Sequence, residues 1–432
     1  MRAAAATMSL LLAACVGSPP GADPTTSPKA PPEASPTAAV IAAIPGADVL
    51  VRGERSVADV TIKDLRSIAA ARNAFGLDIF RLLAREDGNI VLGPDSISNA
   101  LTMTYAGARG STAAEMRSAM HLDLSDDALH RAAGALDASL LEANDIDGIE
   151  MARGTRLFGL RDFPFKESFL ETLSRDYGAP LATLDFTADP DHARAVINDW
   201  VAQLTRELIP ELMGPGKVTG NTRLVIVDAQ YMKAVWDEPF DPDWTGDAPF
   251  HLPDGSTIDV PMMRNHLMIP IAGGDDWVAG ELAYKGGRLT MLVIVPQDLA
   301  SFEAHLDKDR LDSIVADLRE QSYVPISLPR FEVSQHSDLV PLMRELGIED
   351  LFGGGDLSGI SDSDLWVGGV EHEAVVKVNE EGTEAAAATG AEMPGSAPAV
   401  EVRADRPFLF FVRDRHTGSI LFMGRVADPR PE

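Results

Sequence analysis

Residues 380–389 read Glu-Glu-Gly-Thr-Glu-Ala-Ala-Ala-Ala-Thr, and the chain then runs through Gly390-Ala-Glu-Met-Pro-Gly-Ser-Ala-Pro398. Alanine favours helix and is depleted in strands, so a loop of this composition needs a reason. Parity supplies one. Every second residue from Thr383 (Thr383, Ala385, Ala387, Thr389, Ala391, Met393, Gly395) is uncharged, whereas the alternate set carries Glu384 and Glu392. In an extended chain successive side chains face opposite ways, so one face can be buried while the acids stay in water. The run describes an exposed loop able to become a strand. By composition alone it also fits an Ala-rich linker or a helical turn, and its surroundings decide between these readings.

Working outward, Asn73-Ala74-Phe75 precedes Asn89-Ile-Val-Leu-Gly-Pro-Asp-Ser-Ile-Ser98 and Tyr105-Ala-Gly-Ala-Arg-Gly-Ser-Thr112. Ile197-Asn-Asp-Trp-Val201 with Thr205, then Trp236, Phe240 and Pro261-Met-Met263 follow. Leu328-Pro-Arg-Phe331, Leu346-Gly-Ile348, Arg406-Pro-Phe-Leu-Phe410 and Ile420-Leu-Phe-Met-Gly-Arg425 complete the series. From about residue 67 to 432 the chain resembles the serpin family, protease inhibitors that trap their target by inserting a cleaved loop into a sheet. The run at 380–389 looks like the proximal hinge of the inhibitory members. The resemblance implies an α+β fold with a large central mixed β-sheet, two smaller sheets, about eight to nine helices and an exposed reactive-centre loop at about 380–403.

The formal charge is −29, from 37 basic and 66 acidic residues. Such a chain repels nucleic-acid phosphates, anionic lipid surfaces and sulfated glycans, which disfavours nucleic acid or heparin as a partner. The one cysteine, Cys15, ends Leu12-Ala-Ala-Cys after Arg2 and the apolar stretch from Ala3. Residues 1–15 read as an export signal, and their end resembles the bacterial lipobox, whose cysteine receives lipid; an ordinary signal peptide that contains a cysteine is the alternative. Residues 16–66 begin rich in Pro, Ala, Ser and Thr and read as a tether. The expected location is therefore exported, lipid-anchored in the bacterial cell envelope or extracellular, with the membrane touched only through the N-terminal lipid.

Apolar spacing predicts helices over 68–83, 96–106, 111–120 and 193–208. It predicts strands at 224–236, 289–295, 323–333, 366–378, 407–413 and 419–426. Enzyme signatures fail. Gly214-Pro-Gly-Lys217 lacks the rest of a phosphate loop, Asp356-Leu-Ser-Gly359 is no nucleophile elbow, and Glu371-His-Glu373 has no second histidine four residues on. No catalytic residue, metal site or cofactor is expected.

The resemblance assigns further roles. His372 matches a histidine under the centre of the main sheet, and Asp228, Ser96 and Gly93 fall at positions of its usual partners. Asp228 replaces an asparagine, and Gly93 replaces a serine. Asp228 is expected to pair with His372 and favour its charged form, so that sheet opening becomes pH-sensitive. Glu380 and Arg330 match an ion pair at the top of the sheet, with Trp236 packed beneath. The hinge comprises Glu380, Glu381, Gly382, Thr383, Glu384, Ala385, Ala386, Ala387, Ala388 and Thr389. The intact loop is expected outside the sheet, Thr383 being the first side chain buried when the fourteen residues Gly382–Gly395 insert. At roughly 3.3 Å per residue they make about 45 Å of strand.

Family loop length sets the reactive bond at Ser396–Ala397, with Ala399–Val400 as the alternative. Small residues there suit an elastase-like or subtilisin-like serine protease, or a cysteine protease. No Lys or Arg lies between Lys377 and Arg403, which argues against a trypsin-like target. Pro394 lacks a ladder N–H and should weaken the far end of an inserted strand. The reading is of a monomeric suicide substrate; a non-inhibitory serpin acting as a cell-surface binding protein is the alternative.

Overall fold

Caps written in the sequence set the helices. Thr61 and Asp64 form a reciprocal capping box at the start of the first helix, Asp189 caps another by accepting from the His192 amide, and Pro94 and Pro190 open their helices at the first turn. The computed structural model describes residues 44–51, 56, 60–383 and 400–430. Among these the helices are α1 (Ile62–Leu83), α2 (Pro94–Tyr105), α3 (Gly110–Ala119), α4 (Asp126–Leu141), α5 (Glu167–Thr172), α6 (Pro190–Leu204), α7 (Leu299–Ala304), α8 (Lys308–Asp317) and α9 (Val340–Glu345).

The strands begin with β1 (Asp48–Leu50), β2 (Ile90–Leu92), β3 (Ile149–Leu160), β4 (Leu181–Leu184), β5 (Leu224–Val235), β6 (Gly246–His251), β7 (Thr257–Gly273) and β8 (Trp277–Ala283). They continue with β9 (Leu289–Pro296), β10 (Arg319–Pro329), β11 (Phe331–Asp338), β12 (Val370–Asn379), β13 (Gly382–Thr383), β14 (Val402–Arg403), β15 (Phe408–Asp414) and β16 (Ile420–Val426).

The large sheet has the order β1-β4-β3-β5-β13-β12-β11 and is mixed, β5 and β12 running parallel and β3 antiparallel to β5. The second has the order β14-β10-β7-β8-β9-β15-β16-β2, with β6 on β7. Sequence resemblance implies two smaller sheets. Here the long β7 (Thr257–Gly273) pairs with β6 and β10 and then with β8, which joins them into one hydrogen-bonded run.

β5 is apolar almost throughout because both faces are covered. Its odd-numbered Val225, Val227, Ala229 and Tyr231 pack with Val196, Ile197, Trp200, Val201 and Leu204 of α6. Its even-numbered Leu224, Ile226, Met232 and Ala234 join the larger core with Ile97, Ala100 and Leu101 of α2. The segment 323–333 breaks into β10 and β11 at Arg330, whose amide bonds instead to the Pro261 carbonyl. Strand β12 starts at Val370 rather than 366, past Gly368-Gly369.

The tether boundary also moves. Ile44 is buried against the α6 face, Asp48–Leu50 pair antiparallel with β4, and Ile62 opens α1, so these residues belong to the packed structure despite their composition. Cys15, residues 16–43 and the loop from Glu384 to Ala399 lie outside the described residues.

Candidate functional site

The hinge starts where β12 ends. Asn379 accepts from the Trp236 indole N–H at 3.1 Å through its carbonyl and from the Glu381 amide at 3.0 Å through its side chain. Carbonyls of Glu380 and Glu381 accept from the amides of Phe240 and Trp236, each at 2.7 Å. Trp236 stacks on Tyr284 with ring centroids 4.4 Å apart and an interplanar angle of 7°, a buried aromatic floor for the turn.

Glu380 is only 5 % exposed, yet remains a charge with partners. The Arg330 Nη2 stands 2.6 Å from one carboxylate oxygen, and the Thr245 hydroxyl donates to the same oxygen at 2.6 Å. Burial alone would push this carboxyl up, but the Arg330 and Thr245 hydrogen bonds outweigh it and hold it below the usual carboxylate range.

Gly382 turns the chain into the sheet. Its φ is +154°, and a Cβ there would stand 2.0 Å from the Ala234 carbonyl oxygen, so only glycine fits. Gly382 and Thr383 then pair antiparallel with Asn379 and Val378 on one side and with Val235 and Ala234 on the other. Thr383 is buried, and its hydroxyl shares a 2.8 Å hydrogen bond with the Tyr284 phenol, whose pKa burial pushes up.

This corrects one expectation. The hinge is not wholly outside the sheet: its first rung already lies between β5 and β12 in the intact chain. The physical reason is that Tyr284 and the two flanking strands satisfy the threonine's polar groups inside. Below this rung β5 and β12 pair directly only over Ile226–Ala229 and Val370–Glu373. Between the two paired zones runs a narrow cleft lined by Gln230, Tyr231, Met232, Val375, Lys377 and Thr383, and roofed by Thr205, Leu208 and Ile209 after α6.

At the lower closure His372 faces Asp228 directly across the two strands, Nδ1 to carboxylate at 3.3 Å. The Gly93 amide donates to His372 Nε2 at 3.1 Å, so Nε2 is an acceptor and the ring proton sits on Nδ1 beside Asp228. Thr155 donates to the other Asp228 oxygen at 2.9 Å. Ser96 donates to the Gly93 carbonyl at 3.1 Å and supports the helix start. Gly93 is tight on its own account, since a Cβ there would meet Ser96 Oγ at 3.0 Å and Gln230 Oε1 at 3.3 Å.

The geometry brings Glu380, Glu381, Gly382 and Thr383 together with Arg330 and Trp236 at the upper end, and His372 with Asp228 and, through Gly93, Ser96 at the lower. Glu384, Ala385, Ala386, Ala387, Ala388, Thr389, Ser396 and Ala397 fall outside the described residues. Sequence reasoning missed Thr245, Tyr284, Thr155 and Gln230. Gln230 shares parity with Asp228 on β5, a usable signal, whereas the other three come from distant strands or turns. Among the described residues no cluster of His, Cys, Asp and Glu gathers as a metal site would, and no helix is long and apolar enough to cross a membrane. An open cavity of about 1110 Å³ near the C-terminal end of α1 and α7 lies away from the hinge.

The serpin (serine protease inhibitor) family model matches residues 70–429 of this chain. A leukocyte elastase inhibitor of Bos taurus is 38 % identical over 381 residues, covering 84 % of this chain and 100 % of that relative. An uncharacterized serpin-like protein of Thermococcus kodakarensis is 35 % identical over 373 residues, covering 84 % and 86 % respectively. The crystal structure of uncleaved ovalbumin superimposes with a TM-score of 0.76 at 27 % identity, covering 84 % of this chain and 100 % of ovalbumin.

Proposed function

Because the chain belongs to the serpin family, whose members are protease inhibitors and not enzymes, we propose that it inhibits a serine protease as a suicide substrate. One observation carries the mechanism. Gly382 and Thr383 are already paired on both sides at the top of a cleft between β5 and β12. The hinge is therefore poised at the head of a strand position that the rest of the loop can fill.

The target's serine attacks the carbonyl carbon of Ser396, the amine of Ala397 leaves with a proton, and an ester joins Ser396 to the protease. The freed segment behind Thr383 then pairs downward. Continued from β13, the antiparallel register sets Thr389 between Asp228 and His372, so completing the strand separates that pair. Strand addition to a sheet is an established mode of peptide recognition, and insertion drags the acylated protease away before water can release it. Small residues around Ser396 suit an elastase-like or subtilisin-like pocket, and the leukocyte elastase inhibitors among the relatives support that class.

In this reading His372 and Asp228 form the closure that the incoming strand must part. The proposal places the chain outside the cell membrane as a monomer held by lipid on Cys15, and Cys15→Ser should release it from the membrane fraction.

The test is to incubate the chain with elastase-like, subtilisin-like and trypsin-like proteases. The expected result is an SDS-stable adduct with the first two, and a released C-terminal peptide beginning at Ala397. Cleavage with no adduct would overturn inhibition and favour a non-inhibitory binding role.

A further inference from the structure

The large sheet carries a row of charges whose middle position no described residue fills. On the face shared with α6, Glu150 of β3 stands directly opposite Lys233 of β5, and Glu332 of β11 stands directly opposite Lys377 of β12. Glu332 holds Lys377 at 2.7 Å. Glu150 is drawn instead to Arg206, and Lys233 forms no ion pair among the described residues. From β3 to β11 the order among the described residues is acid, base, a position none of them fills, base, acid.

The register of β13 says which residue belongs there. Thr383 pairs with Val378 and with Ala234. One further antiparallel step sets position 384 between Lys377 and Lys233, and the residue at that position is Glu384. Directly opposed residues on neighbouring strands point to the same face, here the half-exposed side that both lysines occupy. Two lysines separated by one strand stand roughly 10 Å apart with like charge, and an acid between them lies about 5 Å from each. Parity alone would send Glu384 to water. The register gives it two partners.

We propose that Lys233 and Lys377 form a two-sided seat for Glu384, completing an alternating five-strand charge row and making this rung the first commitment to insertion after Thr383. The inference rests on the insertion mechanism proposed above. The seat lies at the upper rim of the cleft that runs between Gln230–Met232 and Val375–Lys377, so an incoming strand meets it before any deeper rung. Glu380 cannot substitute, being already engaged by Arg330 and Thr245.

The experiment is to clip the loop of the full chain with a protease that forms no adduct and to compare melting temperatures of intact and cleaved protein. Four forms are needed: unsubstituted, Glu384→Gln, Lys233→Met with Lys377→Met, and the triple variant. The intact form of each variant controls for folding. Cleaved unsubstituted protein should melt well above the intact form. Glu384→Gln should reduce that rise and slow its onset on the order of fivefold, as loss of two cross-strand ion pairs would. In the lysine-free background Glu384→Gln should change nothing further, and high salt should shrink the single-variant effect. An effect of Glu384→Gln that is absent, or that persists undiminished without the lysines, overturns the seat. No rise in the cleaved unsubstituted protein overturns insertion itself, a result the adduct assay reports independently, and the seat falls with it.

Discussion

His130 lies on α4 with its Nδ1 2.7 Å from the Tyr177 hydroxyl and its ring packed between Tyr105 and Tyr177. Burial pushes its pKa down from 6.5 to about 4, and Asp176, Asp126 and Asp127 only partly oppose the shift. A depressed folded pKa means that the unfolded chain binds the proton first, so this stabilisation is complete above pH 6.5 and is lost as pH falls toward 4. The amount at stake is about 3 kcal/mol. Urea unfolding at pH 7 and pH 4.5 should show that loss, and His130→Phe should remove most of the difference; equal pH slopes for both proteins would refute the assignment. Glu380 has the same sign: its carboxyl is held below 4.5, so the contribution of the Arg330 pair is present above that pH and vanishes on stronger acidification. Thr383 is buried between Ala234 and Val378, and an arginine there would carry an unpaired charge inward at a cost of several kcal/mol. Thr383→Arg should expel the hinge and turn the inhibitor into a substrate, read as cleaved product with little or no SDS-stable adduct.

Two short elements do more than their length suggests. β13 holds only two residues, but both are paired on each side, Gly382 with Asn379 and Val235 and Thr383 with Val378 and Ala234. β1 caps the free edge of β4 and thereby protects it from pairing with another chain. Arg161 grips the Asp48 carboxylate at 2.8 Å, and the tight Gly46, with φ +91°, lets Ile44 fold back beneath α6 beside Val196. Deleting residues 1–51 should cost about 2 kcal/mol from Ile44 alone and should leave the β4 edge open. A lower urea midpoint and a tendency to associate on size-exclusion chromatography are expected, and unchanged values for both would show that β1 contributes nothing.

Across the whole molecule the charge of −29 governs encounters. Heparin should not accelerate inhibition, since a polyanion is repelled by the same field, and association rates measured with and without it should agree. With Cys15 as the sole cysteine, no disulfide can close within the chain, so reductant should leave the melting temperature unchanged. The fold stands on packing: α2 and α6 cover opposite faces of β5, and the hinge is held by hydrogen bonds rather than cross-links.

Much of this was legible in the sequence because it depends on local chemistry. The parity of 383–395, the glycine at 382 and the apolar runs of β5 and β12 are properties of neighbouring residues, while the fold class and the hinge follow from the family resemblance carried by the series of motifs from Asn73 to Arg425. Composition misled at residues 44–50, where one isoleucine and three strand residues fold onto β4 and α6 from far away in sequence. Only the tertiary structure decided that Thr383 is already inside, because that depends on Tyr284 and Ala234 arriving from other strands. Likewise the two lysines beside position 384 are 144 residues apart in sequence and meet only through pairing register. The alternation of a strand tells which face a side chain takes, but the partner on that face is fixed by which strands lie beside it.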